Sequence, residues 1–313
     1  LQTVIVKVLF VFAFFVSARA VAAPCCAGST ALPSLITGDE ARNFSIAISY
    51  SAVVADAFGA LDGRLPEFRD DRSSNELRQN ANFNFATLLS DRFQIGFSVP
   101  IVHNQIKAGS RSEAKTLFGD VSMTFGYEAL PEYEYTEWIP RVYFFFQAVL
   151  PTGHSVQVSD SPLGTDVAGL GQWQTHFGSV AIKRWSDWDA MIVGKVGRLY
   201  SQIFESSSNG ITRVGASWGL TASLGAGYSF AEFFRVGASL EPQYQSPQEV
   251  ATSGFSSSTS QKLVWNTGLT ATALVGANSS LVVGYVDQTL VGPAINTTMA
   301  RTLSLSFQLR FDR

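Results

Sequence analysis

From residue 43 onward, apolar side chains recur at every second position in run after run. In the last run Leu303, Leu305, Phe307, Leu309 and Phe311 alternate with Thr302, Ser304, Ser306, Gln308 and Arg310. Successive side chains of a strand point to opposite faces, so each run has one apolar and one wet side. The pattern predicts strands at about 43–56, 75–88, 92–102, 119–129, 141–150, 172–183, 189–203, 211–228, 232–245, 261–275 and 281–290, and a last one at the C-terminus. Twelve is an even number, as bacterial membrane barrels usually have. The links near 90, 135, 186, 231 and 278 are short, and those near 65, 110, 161, 207, 253 and 295 are longer and more polar. The reading is therefore all-β: a transmembrane, antiparallel up-and-down β-barrel of about twelve strands over 43–313. Both termini are periplasmic and the long loops face outward.

Aromatic residues sort by height along these strands. Phe93, Tyr127, Trp138, Trp185, Trp188, Phe230, Phe233 and Phe311 fall near the short links; Trp173, Tyr200, Tyr244 and Trp265 fall near the long ones. Amphipathic rings collect in this way at the two membrane interfaces. A β-sandwich is the rival fold, and it would bury Phe83, Phe97, Phe146 and Leu305 in a shared interior.

Composition narrows the picture. Only 15% of the 313 residues are charged, against about 25% in soluble domains. After the first few dozen positions there is no apolar run of about 18 residues, which excludes helical spans there. The net charge of −3 gives no basic footprint for nucleic acid. Residues 1–22 read as a signal peptide: Lys7, an apolar stretch from Val8 to Val16, and Ala20-Val21-Ala22 as the cleavage region. A membrane anchor is the alternative, but the stretch is short for one. Residues 23–42 look irregular and could occlude the lumen from inside. Cys25 and Cys26 are adjacent, which disfavours a disulfide between them. A lipid anchor, intermolecular pairing and free thiols stay open.

The inward face holds the concentrated polar chemistry. Its predicted lumen-lining residues are Arg78, Asn80, Asn82, Asn84, Asp120, Glu128, Arg141, His176, Lys195, Arg235, Glu241, Lys262 and Arg310. Alternating asparagines are poor strand formers unless they face water. The charges could line a selective pore or lock a closed barrel; about eight strands leave a filled interior and 16–18 an aqueous channel, so size does not decide. No catalytic set, metal cluster or cofactor motif is expected. The three histidines, His103, His154 and His176, are far apart. His154-Ser155 suggests a phospholipase pair, but adjacent side chains point apart. Asp160 and Asp166 near His154 leave a rim-protease arrangement as a minor idea. Gly169-Leu170-Gly171 lacks the third glycine and helix of a dinucleotide site. The expected surroundings are outer-membrane lipid and lipopolysaccharide, with a small-molecule solute in the lumen.

Several motifs carry a resemblance. Gly119-Asp120-Val121 opens a strand, Leu150-Pro151-Thr152-Gly153 closes one, and Gly169-Leu170-Gly171 precedes Trp173. In that order they resemble outer-membrane barrels of the phenol-degradation meta-pathway transporter family. The segment Cys25-Cys26-Ala27-Gly28, followed by Pro33 to Asp39, resembles barrels of Bdellovibrio and myxobacteria. The resemblance implies a multi-pass protein of the bacterial outer membrane acting as a narrow porin or small-solute transporter. A non-conducting structural barrel is the alternative, and an outer-membrane hydrolase a weaker one. Fold alone does not choose among them.

Overall fold

A computed structural model describes residues 32–57, 67–69, 74–132, 136, 138–206, 210–230, 233–252 and 255–312. Residues 1–22, with the expected signal peptide, and Cys25 and Cys26 lie outside the described residues. The strands are β1 (Arg42–Ala57), β2 (Glu67–Phe68), β3 (Ser74–Leu88), β4 (Phe93–Ala108), β5 (Arg111–Phe118), β6 (Ser122–Leu130), β7 (Arg141–Val149), β8 (Gln174–Trp185), β9 (Trp188–Leu199), β10 (Gln202–Ser206), β11 (Gly210–Val214), β12 (Ser217–Phe230), β13 (Phe234–Gln245), β14 (Glu249–Thr252), β15 (Phe255–Ser258), β16 (Lys262–Gly276), β17 (Ser279–Asp287) and β18 (Thr297–Phe311).

Among the described residues twelve strands form the wall, in the order β1, β3, β4, β6, β7, β8, β9, β12, β13, β16, β17, β18, all antiparallel to their neighbours. β18 pairs back onto β1, from Arg42 opposite Phe311 to Ala57 opposite Thr297, and closes the barrel. Closure removes both sheet edges and leaves every wall strand paired on two sides, as hydrocarbon requires. No described helix is long and apolar enough to cross a membrane, so any crossing is by strands.

The apolar face points outward. Phe83, Phe97, Phe146 and Leu305 are 37, 39, 43 and 47% exposed rather than packed together, which disposes of the sandwich. Short turns gather at one end with the two described chain ends (the turn end); the long connections gather at the other (the loop end).

Besides β2, which pairs with β1 through Ala55 opposite Phe68, three long connections carry strands that the alternation did not reveal. Residues 103–118, expected as a polar loop, extend β4 and turn back as β5, with Ile101 opposite Phe118 and Ala108 opposite Arg111. β10, β11, β14 and β15 form a separate four-stranded sheet beyond the wall. Residues 211–214 belong to it, so Val214 is buried there and does not face lipid from an eighth wall strand. Above the membrane both strand faces meet water or other loops, and the apolar-out rule that marks wall strands no longer applies.

β5 and β6 lie end to end beside β4, broken at 119–121. The cause is local. Pro100 accepts from Gly119 N–H at 2.9 Å but has no N–H to give back, so the ladder is interrupted on that side.

Candidate functional site: the lumen

Residues directly opposite on paired strands share a face, so the registers trace rows around the lumen. One row runs Asn80, Ser49, Ser304, Gly284, Thr270, Gly237. The next row toward the turn end runs Asn82, Ala47, Ser306, Val282, Thr272, Arg235. Apart from Arg235, these two rows hold neutral and mostly small side chains, with hydroxyl and amide groups at Asn80, Asn82, Ser49, Ser304, Ser306, Thr270 and Thr272. The facing half is different. Inward positions on β7, β8 and β9 hold Tyr143, Phe145, Val180, Ile182, Met191 and Val193 as one buried apolar cluster. The lumen wall thus carries polar groups on one side and, on the other, an apolar cluster toward the turn end.

Residues 32–41 sit on the apolar side at the turn end. Leu35 joins the cluster. The Gln94 side chain grips the backbone of Ile36 at both ends: Ile36 N–H donates to Oε1 at 2.5 Å, and Nε2 donates to Ile36 C=O at 3.1 Å. This pairing replaces the ladder partner that an irregular buried segment lacks. Glycine makes the approach sterically feasible. A Cβ on Gly96 would collide with the Ser34 carbonyl oxygen, and one on Gly126 with the Leu35 side chain. Asp39 accepts from Arg141 at 2.9 Å, and Arg141 Nε donates to Glu128 at 2.7 Å.

The connection 150–173 folds over the lumen at the loop end. Asn104, on the inward face of β4, donates to the carbonyls of Thr165 (3.2 Å) and Val167 (2.6 Å). The Asp120 carboxylate accepts from Gly153 N–H (2.8 Å) and Leu170 N–H (2.7 Å), with Gly169 packed against it. Thr152 Oγ1 donates to Gly119 C=O at 2.8 Å. The three sequence motifs 119–121, 150–153 and 169–171 therefore meet around one carboxylate. Asp120→Ala is expected to free this loop, read as faster cleavage within 151–172 by limited proteolysis while the barrel stays folded.

Deeper in the loop, burial raises the pKa of the Asp166 carboxyl, but hydrogen bonds from Ser159 Oγ and Asp160 N–H, with Lys115 at 3.5 Å, hold it net below the ordinary carboxylate value. That stabilisation is present above the usual carboxylate pKa and is lost as pH falls through the lowered one. His154 Nε2 lies 2.9 Å from Val158 C=O and 3.8 Å from Asp166, while Ser155 is buried against Gly171. The pair forms no nucleophile–base contact.

The other singled-out residues separate into paired and unpaired groups. Arg235 holds Asp189 through Nε at 2.5 Å and Nη2 at 2.7 Å, both residues buried. Glu241 accepts from Asn266 at 3.1 Å and Gln243 at 2.5 Å. Asn84 donates to Ser45 at 3.3 Å and accepts from Ser34 Oγ at 3.3 Å. Arg78 reaches Asn80 at 3.3 Å. His176 packs against Gly197, and Lys195 stands between Gly178 and Thr221 in register. Lys262 is exposed at the loop end. Arg310 is buried, with Nε and Nη2 unpaired among the described residues. Sequence reasoning missed Gln94, Asp189 and the seat at Gly96 and Gly126. The inward parity of Asp189 beside Arg235 was the available signal.

No protein-family profile and no curated protein matches the chain. Solved structures do. The COG4313 outer membrane channel from Pseudomonas putida F1 aligns over 93% of this chain and 100% of that one, with a TM-score of 0.66 and 14% identity. The transport unit of the autotransporter AIDA-I from Escherichia coli aligns over 92% and 95%, with a TM-score of 0.50 and 9% identity. A TodX monoaromatic hydrocarbon channel mutant gives 0.46 at 11% identity over 88% and 91%. At these identities the likeness concerns the fold, which is that of an outer-membrane β-barrel.

Proposed function

We propose that the protein is an outer-membrane channel that passes small solutes through a narrow, one-sided lumen. The observation that carries this reading is the series of hydroxyl and amide positions on β16–β18, β1 and β3, which keeps hydrogen-bonding groups along the barrel interior. The buried charges of Arg235 and Arg141 are paired with Asp189 and Glu128, and so add little to the polarity of the path. The motif resemblance to phenol-degradation meta-pathway transporters and to barrels of Bdellovibrio and myxobacteria fits the same role, as does the fold shared with a COG4313 channel. Outward apolar side chains would face lipid, with lipopolysaccharide around the loop end.

A second reading, a closed structural barrel, draws support from residues 32–41 and the 150–173 connection, which occupy the two ends of the lumen. Planar-bilayer recording on refolded protein decides between them. Step-like currents of small amplitude are expected. Folded protein that inserts and gives no steps would overturn the channel.

A further inference from the structure

Two arginines in this chain show how its guanidinium groups are normally satisfied. Arg235 presents its Nε and Nη2 edge to Asp189, at 2.5 and 2.7 Å, and Arg69 presents the same edge to Asp56, at 2.6 and 2.7 Å. This edge is a two-pronged donor whose spacing matches the two oxygens of a carboxylate or a phosphate. Arg310 has the same edge without an acceptor. Its Nε and Nη2 are both buried and have no hydrogen-bond partner among the described residues, and the residue is 8% exposed. Leaving charged donors out of water without partners is costly, and native proteins rarely tolerate it without a reason.

The surroundings suggest the reason. Arg310 faces the lumen at the turn end, opposite Asn43 on β1. Arg184 faces the same space from β8, since its register partner is the inward Asp189. Asp189 is taken by Arg235, and Arg184 forms no ion pair with any described residue. Arg184 and Arg310 are thus two like charges on the inward face of different walls, both near the turn end. Two carboxylates, Glu40 and Asp312, also act on Arg310. Neither reaches its fork, and Glu40 instead accepts from Asn43 at 3.4 Å. A small oxyanion at the Arg310 fork would satisfy its two buried donors, with Arg184 as a second positive charge facing the same space.

We propose that Arg310, with Arg184, forms a binding position for a small oxyanion, either a carboxylate or a phosphate group, at the turn end of the lumen. As a statement about cargo it rests on the channel reading above, whereas as a binding site it does not. Arg310 takes the anion side-on through its fork, and Arg184 supplies a second positive charge. Sodium acetate and inorganic phosphate are the probes, because their shared chemistry is two oxygens at fork spacing.

Equilibrium dialysis of radiolabelled phosphate and acetate against the refolded full chain in detergent, at constant ionic strength with chloride as the balancing anion, tests the site. Saturable binding of at least one probe is expected, and which probe binds more tightly separates the two ligand types. Arg310→Gln should weaken it by at least about tenfold. Arg310→Lys should also weaken it, because a point charge does not replace the fork. Arg184→Gln should weaken it less. Heat-modifiable migration on gels confirms that each variant is folded, and if Arg310→Gln does not fold, the other two variants decide. No saturable binding of either probe to the folded wild type would overturn the site, and so would binding unchanged by Arg310→Lys. Binding without bilayer currents would sink the channel and keep the site; currents without binding would do the reverse.

Discussion

Replacing Asp189 with Ala is expected to destabilise the folded barrel by about 3–5 kcal/mol, the usual loss when one partner of a buried ion pair is removed. Asp189 and Arg235 are both under 9% exposed and meet through two short bonds. The guanidinium also lies over Gly227, where a Cβ would collide with it. The loss therefore comes chiefly from a buried charge that has lost its carboxylate, and the worth of the pair itself is a separate and smaller quantity. The double variant Asp189→Ala with Arg235→Met should recover most of the stability, because it removes the charge as well as its partner. Urea titration of the folded, heat-modifiable band measures both. A single-variant loss below about 1 kcal/mol would show that water reaches this pair and that the turn end is wetter than its burial implies.

Much of the wall was legible because a membrane enforces a period-two pattern on every strand that crosses it. β18 is the clearest case: Leu303 to Phe311 alternate without a break and pair on both sides as the pattern requires. The same rule hid β5, β10, β11, β14 and β15, which stand outside the wall. In β15, Phe255 to Ser258 read as a serine-rich loop, yet they pair with β14 through the backbone ladder, from Glu249 opposite Ser258 to Thr252 opposite Phe255. Backbone pairing leaves no trace in side-chain pattern.

The lumen was legible by parity but not by content. Alternation predicts that residue 145 points inward; it does not show that Phe145 meets Val180, Met191 and Leu35 in an apolar cluster. That cluster depends on which strands become neighbours and on a segment about a hundred residues earlier returning to cover it. Asp120 illustrates the same limit. Its position beside Gly119 marked it as notable, but its role comes from two loop N–H groups supplied 33 and 50 residues later.

Residues 32–41 hold the largest functional consequence, because they occupy the turn end of any path through the barrel. Burying Leu35 contributes about 1.5–3 kcal/mol, and the two Gln94 bonds to Ile36 add about 1 kcal/mol each. Asp39 adds little, since its side chain is 79% exposed where it meets Arg141. The seat therefore depends on close packing, and a single side chain can abolish it. Gly96→Val is the sharpest change. Any Cβ there meets the Ser34 carbonyl oxygen, a backbone atom that cannot rotate away. The wall should tolerate the substitution, because residue 96 faces inward, β4 is paired on both sides there, and valine favours strands. Under the channel reading, single-channel conductance should rise severalfold over wild type, and Glu40, buried in the native protein, should become a cleavage site for a glutamate-specific protease. Unchanged conductance with Glu40 newly cleaved would place the constriction at the 150–173 connection. Unchanged conductance with Glu40 still protected would show that the segment is not held by the Gly96 seat.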